Sequence, residues 1–532
     1  ESWANLPLNE SFATYGEYLW IEHKYGLKEA GKHLRGDYLS YLSDTPRVDL
    51  IRYHYDDKED MFDSHTYEKG GLILHMLRNL VGDDAFFASI KLYLHNRAFK
   101  TAEVHDLRMA FEQVSGQDLN WFFNQWFLDK GHPVLAVNWE ASGDSLLLSV
   151  SQTQNSEYPT FKLPVEIDFY FNGQTTRKKI WVTKRNETFV FEGLADVEAV
   201  NFDADKVLLI ELNQTLSPEE ALILFDQSDH YGTKLEAMLQ VRKDTSLTGW
   251  ELMSLASRDK FDSFRKLSFY FSLNKEYAKT EENKSYLLEK YKKDPSPEVR
   301  VAIVSTIYNL WTEDSSLISF YKTALMDSSI NVKLTALNII NALAREDALL
   351  RAHELENETD PRIVRHLSRM YTDIKDESKC KWFNWAIKHV EYRNKSYVIS
   401  KYLKYLLEKD NEVVWKACKK LEEEAIYENN KEVRYSSAVA IHQLRERNIA
   451  RIDDIRKDIV DKKEASRGKP YDLKLLEEKH QELLNHDKRM EELIKKIFNS
   501  EINKNVREKY QKRGLLNTQV PSLKGDNQNV EP

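Results

Sequence analysis

One spacing constrains the C-terminal part of this chain more than any other feature. Val299, Val332, Val364, Val398 and Val433 stand 33, 32, 34 and 35 residues apart. The first three share a pattern of a turn, then valine, then a base: Asp294-Pro295-Ser296-Pro297-Glu298-Val299-Arg300, Asp327 to Val332-Lys333, and Asp360-Pro361-Arg362-Ile363-Val364-Arg365. Ser396-Tyr397-Val398 and Lys431-Glu432-Val433-Arg434 extend it more weakly. A repeat of this length without strand alternation describes helical hairpins, each burying its apolar face on its neighbour. The expectation is a HEAT- or armadillo-like α-solenoid over residues 213–513. Composition agrees. Gly supplies only 17 of 532 residues, under half the usual share of about 7%, and Pro only 12. Such a chain is mainly α and poor in tight turns.

The remainder divides by period. Residues 1–131 read as helices. Leu72, Ile73, Leu74, Met76, Leu77 and Leu80 form an apolar face after Gly70-Gly71, and Trp121, Phe122, Phe123, Trp126 and Phe127 form an aromatic cluster before Gly131-His132-Pro133. Alternation then takes over at residues 134–139, 145–151, 165–171, 179–183, 188–191 and 207–211, with the hairpin signal Asn172-Gly173 between two of them. A small β-sandwich is expected over residues 132–212. Ser217-Pro218-Glu219-Glu220 opens the next helix with a side-chain cap, Pro at the first position and acids in the first turn. Residues 452–498 read as a charged surface or capping helix pair, and residues 514–532 as a flexible tail.

Several function classes fall away. The net charge is −9 and the pI about 6.0, which is not the basic balance of a nucleic-acid binder. No apolar run approaches the ~18 residues of a transmembrane segment. Cys380 and Cys418 make neither a disulfide framework nor a four-thiolate metal site. The chain opens Glu1-Ser2-Trp3 with no Met and no leader pattern, and reads as starting inside a domain. The compartment, periplasmic or secreted against cytoplasmic, stays open.

Two motifs carry chemistry. In Trp3-x5-Asn9-Glu10-Ser11-Phe12-Ala13-x3-Glu17, Glu10 and Glu17 lie seven residues apart and share a helix face. A carboxylate on a small, mostly apolar face is unusual unless paired or metal-bound; two solvated acids on an amphipathic helix are the alternative. In Thr66-Tyr67-Glu68-Lys69-Gly70-Gly71, a tyrosine sits at the mouth of an apolar helix, where its hydroxyl either enters a cleft or makes one core hydrogen bond.

In this order, the two motifs resemble the M1 family of zinc aminopeptidases. These are gluzincins, the group that also holds leukotriene A4 hydrolase. Ser115-Gly116-Gln117-Asp118-Leu119, Phe122 to Trp126 and Gly131-His132-Pro133 are similar to the end of that family's catalytic domain. The resemblance implies the C-terminal half of a thermolysin-like catalytic domain, then a β-sandwich, then the solenoid. It implies that Glu10 is the third zinc ligand, that Tyr67 donates a hydrogen bond to the oxyanion of the tetrahedral intermediate, and that Asn9 and Glu17 support the ligand from behind. The implied reaction removes N-terminal residues from peptides by attack of a zinc-bound water. One position departs: the family usually has Gly after the ligand Glu, where this chain has Ser11.

The family's other two ligands and its general base lie in His-Glu-x-x-His, and these 532 residues contain no such motif; His353-Glu354 is followed by Asn at 357. The expectation is therefore a C-terminal portion, inactive alone and without tight zinc, whose partners are peptide substrates and the missing N-terminal part of the same protein. Two rivals remain: a degenerate family member whose solenoid is an interaction scaffold, and an epoxide hydrolase like the leukotriene enzyme.

Overall fold

The computed structural model describes residues 2–45, 47–274, 276–465 and 473–516. Most of the tail expected at 514–532 lies outside them. The chain forms two compact units, Glu1–Glu313 and Asp314–Pro532. It is mainly α, with one small β region, and no described helix is long and apolar enough to cross a membrane.

The first unit opens with α1 (Pro7–Tyr25) and α2 (Leu27–Ser43), then a wide turn at His65–Lys69, α3 (Gly70–Val81), α4 (Asp83–Arg97), α5 (Val104–Ser115) and α6 (Asn120–Trp126). Pro7 starts α1, and Gly26, at φ 87°, ends it. Proline is pre-set for a first helical turn, and glycine accepts the left-handed backbone at little cost. The aromatic cluster is buried as expected, with the Trp126 ring 5.1 Å from Phe161. The helix carrying it ends at Trp126, ahead of Gly131. That glycine instead makes room for an aromatic ring, since at φ 83° a Cβ there would stand 2.5 Å from Tyr158.

Seven strands follow: β1 (Val134–Ser142), β2 (Ser145–Gln152), β3 (Leu163–Phe171), β4 (Gln174–Val182), β5 (Asn186–Glu192), β6 (Ala199–Phe202) and β7 (Glu211–Asn213). They make two sheets, ordered β5-β2-β1-β7 and β4-β3-β6. Asn172 (φ 48°) and Gly173 (φ 70°) form the tight turn of the β3–β4 hairpin, as the dipeptide predicts. The strand expected at residues 207–211 is absent. There the Asp203 carboxylate accepts the backbone N–H groups of Val207 and Leu208, so those groups bond a side chain and not a strand. Only Glu211 onward pairs, in parallel with β1. The short β6 escapes sequence reading because all four of its residues are buried, which removes the alternation. A single apolar core joins α1–α6 to the strands, so the helical platform and the β region are one packed body.

The unit closes with α7 (Pro218–Gln227), α8 (Tyr231–Val241), α9 (Leu247–Ala256), α10 (Asp262–Phe271), α11 (Glu281–Lys293) and α12 (Pro297–Leu310). Ser217 and Glu220 cap α7 reciprocally.

The second unit contains α13 (Ile318–Ala324), α14 (Ile330–Leu343), α15 (Arg345–Glu354), α16 (Pro361–Met370), α17 (Lys379–His389), α18 (Tyr392–Leu406), α19 (Asn411–Tyr427), α20 (Lys431–Ala465), α21 (Lys474–Ser500) and α22 (Lys504–Lys512). Helices α14, α16, α18 and α20 pack in succession, with α15, α17 and α19 against them. Val332, Val364 and Val433 stand in the first turn of α14, α16 and α20, as Val299 does in α12 of the first unit, whereas Val398 lies in the middle of α18; each of the five is 0% exposed. Ile452, Ile455 and Ile459 of α20 meet Leu483 of α21, while Leu475 points out, 76% exposed. A buried ion pair, Arg445 to Asp487 at 3.0 Å, also ties these two helices.

Candidate active site

The two motifs meet where α1 crosses the start of α3. Helices approach this closely only where side chains are small, and the contact is made by Ser11 and Thr14 on one side and Gly70 and Gly71 on the other. A Cβ on Gly70 would lie 1.8 Å from Ser11 Oγ, and one on Gly71 3.2 Å from Thr14 Cγ2. Ser11 is buried, and its hydroxyl donates to the Thr66 carbonyl at 2.7 Å. This one bond links the residue after Glu10 to the residue before Tyr67. The departure at position 11 is thus accommodated by the opposing glycine.

Tyr67 rides on the wide turn. The Lys69 N–H reaches back to the Ser64 carbonyl at 2.9 Å and the Gly70 N–H to that of His65, five residues instead of four. Such π-type turns are uncommon and recur at functional sites. Asp63 anchors the turn, accepting the backbone N–H of His65 and Thr66 and a bidentate pair from Arg52 at 2.8 and 2.9 Å. Burial works against its ionised form, but the bonds from His65, Arg52 and the Thr66 amide hold its carboxyl well below the usual range. Ser40 of α2 donates to Glu68 at 2.8 Å, which ties Glu68 to α2.

The outcome is that Glu10 and Tyr67 face each other. Burial of the ring raises the Tyr67 hydroxyl pKa, and the charge and acceptor oxygen of Glu10 raise it further, with Glu68 adding to the effect. The phenol is therefore protonated at neutral pH and can only act there as a neutral donor or acceptor. Both side chains are half-buried, open to a ligand. Asn9 is exposed. Glu17 is also largely exposed, with its carboxylate 3.9 Å from His33 Nε2; the same nitrogen is 3.6 Å from Asp37. Burial and the nearby Glu68 and Glu17 push the Asp37 carboxyl up to about 6, against the pull of His33.

The buried face of α1 holds this arrangement rigid. Tyr15 stacks on Tyr18 with centroids 5.4 Å apart and its hydroxyl meets His75 Nδ1 at 3.2 Å. Burial drives the His75 imidazole down to about 3, so it is a neutral core histidine. Lys69 is wholly buried, its ammonium without a hydrogen-bond partner; burial lowers it to about 8, against the attraction of Asp49.

Zinc needs three protein donors about 2 Å from the ion. Among the described residues, the one cluster of three possible ligands is Asp44, Asp63 and His65, and it excludes Glu10. Its oxygens are already engaged, Asp63 by Arg52 and Asp44 by the Ser64 hydroxyl at 2.7 Å. The residues present therefore do not by themselves fit a zinc site at Glu10.

Sequence reading missed Ser11, Gly70 and Gly71 as a contact, and Asp63, Arg52 and Ser40 as the frame of Tyr67. The paired glycines after Lys69 were the available signal for the first. The second depends on pairs such as Arg52–Asp63 and Ser40–Glu68, 11 and 28 positions apart, with no local signature.

Residues 1–126 match the model of the peptidase family M1 domain. Aminopeptidase M1 of Arabidopsis thaliana is 31% identical over 145 residues, 26% of this chain and 16% of that protein. Aminopeptidase N of Lactococcus lactis is 25% identical over 392 residues, 69% of this chain and 44% of that protein. The tricorn protease-interacting factor F2 of Thermoplasma volcanium is 30% identical over 207 residues, 36% of this chain and 25% of that protein. The crystal structure of Legionella pneumophila aminopeptidase A in complex with aspartic acid superposes with a TM-score of 0.55 at 15% identity, covering 96% of this chain and 63% of that one. The matches span less than half the length of each of these curated relatives.

Proposed function

From the match of residues 1–126 to the peptidase family M1 domain, we propose that the chain is the C-terminal part of a zinc-dependent aminopeptidase of that family. The observation that carries this reading is the pairing of Glu10 with a protonated Tyr67 across the α1–α3 crossing. Glu10 contributes one carboxylate to a zinc site whose two imidazoles and general base come from sequence outside these 532 residues. Alone, the chain neither binds zinc tightly nor cleaves peptides.

The Tyr67 hydroxyl serves the reaction as a neutral donor. Directed at a peptide carbonyl, it makes a hydrogen bond that strengthens as negative charge develops on the oxygen, which lowers the barrier and not only the ground state. Ser11 and Gly70 keep the two side chains in register, and Arg52-Asp63 fixes the turn on which Tyr67 stands. Glu17 and Asn9 support the ligand side from α1. The substrates are peptides with a free N-terminus.

The test is expression from the parent gene with the sequence upstream of Glu1 included. Release of N-terminal residues from unblocked peptides is expected, with N-acetylated peptides resistant and chelator abolishing activity. If that upstream sequence has lost its histidine pair and no aminopeptidase activity appears, the scaffold reading replaces this one.

A further inference from the structure

A cavity of about 230 Å³ lies on the opposite side of α2 from the active site. Its walls come from α2, α3, the loop after β6 and α8, and the apolar ones include Leu34, Leu72, Leu208, Ile210 and Leu239. It shares no residue with the Glu10–Tyr67 pair. Its volume is that of roughly eight waters at ~30 Å³ each, enough for a small organic ligand.

The polar groups at the cavity are unevenly satisfied. Lys206 has a carboxylate, Glu236 at 2.8 Å, and also donates to the Phe202 carbonyl. Asp203 is occupied by the amides of Val207 and Leu208. The Tyr38 hydroxyl donates to the Ile210 carbonyl at 2.9 Å. His230 accepts the Gly232 N–H at 3.2 Å. Arg35 is different. Its guanidinium lies over the Tyr38 ring at 4.6 Å, its Nε is buried without a hydrogen-bond partner, and no carboxylate among the described residues is within ion-pair distance. An arginine braced on a ring, with no carboxylate at ion-pair distance and lining a cavity that also has leucine walls, is a preorganised carboxylate receptor. The loop opposite is also held under constraint: Asp203 and Lys206 both have left-handed backbones, φ 52° and 49°. For lysine that conformation persists only where the surroundings over-determine it, a condition met at ligand clamps.

We propose that this cavity binds a small amphipathic monocarboxylate, with the carboxylate on Arg35 and the hydrocarbon body against the leucine walls. The proposal is independent of the peptidase reading. Helix α2 is the wall common to both sites, since Leu34, Arg35 and Tyr38 line the cavity while Ser40 holds Glu68 beside Tyr67.

Calorimetric titration of the full 532-residue chain tests it, with octanoate, octanol and octylamine as probes. Octanoate should bind at submillimolar concentration and at least tenfold more tightly than octanol or octylamine. Arg35→Gln should erase that preference, and Leu239→Trp, which fills the cavity, should abolish octanoate binding with the circular dichroism spectrum unchanged. N-acetyl-leucine against N-acetyl-leucinamide separates the two sources of such a carboxylate: a tighter acid than octanoate assigns the site to a peptide C-terminus, a weaker one to a fatty acid. Equal binding of octanol and octanoate, no binding of either, or octanoate binding that survives Leu239→Trp overturns the proposal. Should Arg35→Gln fail to fold, the octanoate-to-octanol ratio and the Leu239→Trp variant still decide it.

Discussion

Gly70→Ala tests the helix crossing that brings Glu10 to Tyr67. The new Cβ would stand 1.8 Å from Ser11 Oγ and 2.5 Å from Ser11 Cβ, whereas the next atom, Ser11 Cα, is at 3.5 Å, an ordinary contact. The whole clash therefore belongs to one side chain on the facing helix. Overpacking of this kind costs about 1–3 kcal/mol, and alanine's better helix propensity returns about 1 kcal/mol. Ser11→Gly alone loses the bond to Thr66, about 1 kcal/mol, and roughly 0.5 kcal/mol of propensity. In the Ser11→Gly background the obstacle is gone, so Gly70→Ala should become neutral or stabilising by up to about 1 kcal/mol. The double-mutant cycle should give a favourable coupling of about 1–3 kcal/mol, since contacting residues are not additive. Urea denaturation followed by tryptophan fluorescence measures all four chains. Equal costs of Gly70→Ala in the two backgrounds, within about 0.5 kcal/mol, would refute the claim that Ser11 and Gly70 are in contact.

Three further outcomes follow. Tyr67→Phe in the active enzyme should lower kcat by about 10²–10³ with KM little changed, as removal of an oxyanion donor does; a loss confined to KM contradicts the role. The purified 532-residue chain should carry far less than one zinc per molecule by mass spectrometry, because one carboxylate does not complete a site; a tightly held equimolar zinc refutes the donor assignment. Lys69→Met should change how stability depends on pH. Since burial lowers Lys69 to about 8 from 10.5, between these values the unfolded chain binds a proton that the folded chain has shed, and wild-type stability gains with rising pH. Below pH 8 the folded state bears most of the cost of the buried charge. The stability of Lys69→Met relative to wild type should therefore fall by about 2 kcal/mol between pH 7.5 and 9.5. A pH-independent difference shows that Lys69 titrates normally.

The elements were legible where physics is local. The apolar period after Gly70-Gly71 predicts α3, Asn172-Gly173 predicts the β3–β4 turn, and Ser217-Pro218 predicts the start of α7, since each signal lies within a few residues of the feature it controls. Legibility failed where a distant or buried partner decides. Residues 207–210 alternate like a strand, but the Asp203 carboxylate takes the amides of Val207 and Leu208, and β6 has no exposed face to mark it. At the site, Glu10 and Tyr67 can be named from their motifs, yet neither motif reveals that they face each other.

The sequence by itself determined the helical character, the position of the β region, the repeat and the resemblance to the M1 family, because periodicity, turn chemistry and short motifs are properties of neighbouring residues. Only the tertiary structure decided that Ser11 seats on Gly70, that Arg52 and Asp63 frame the Tyr67 turn, and that Arg35 lines a cavity with its Nε unpartnered. These depend on steric fit and on charges brought together from far apart in the chain, and pairings of that kind exist only once the helices have packed.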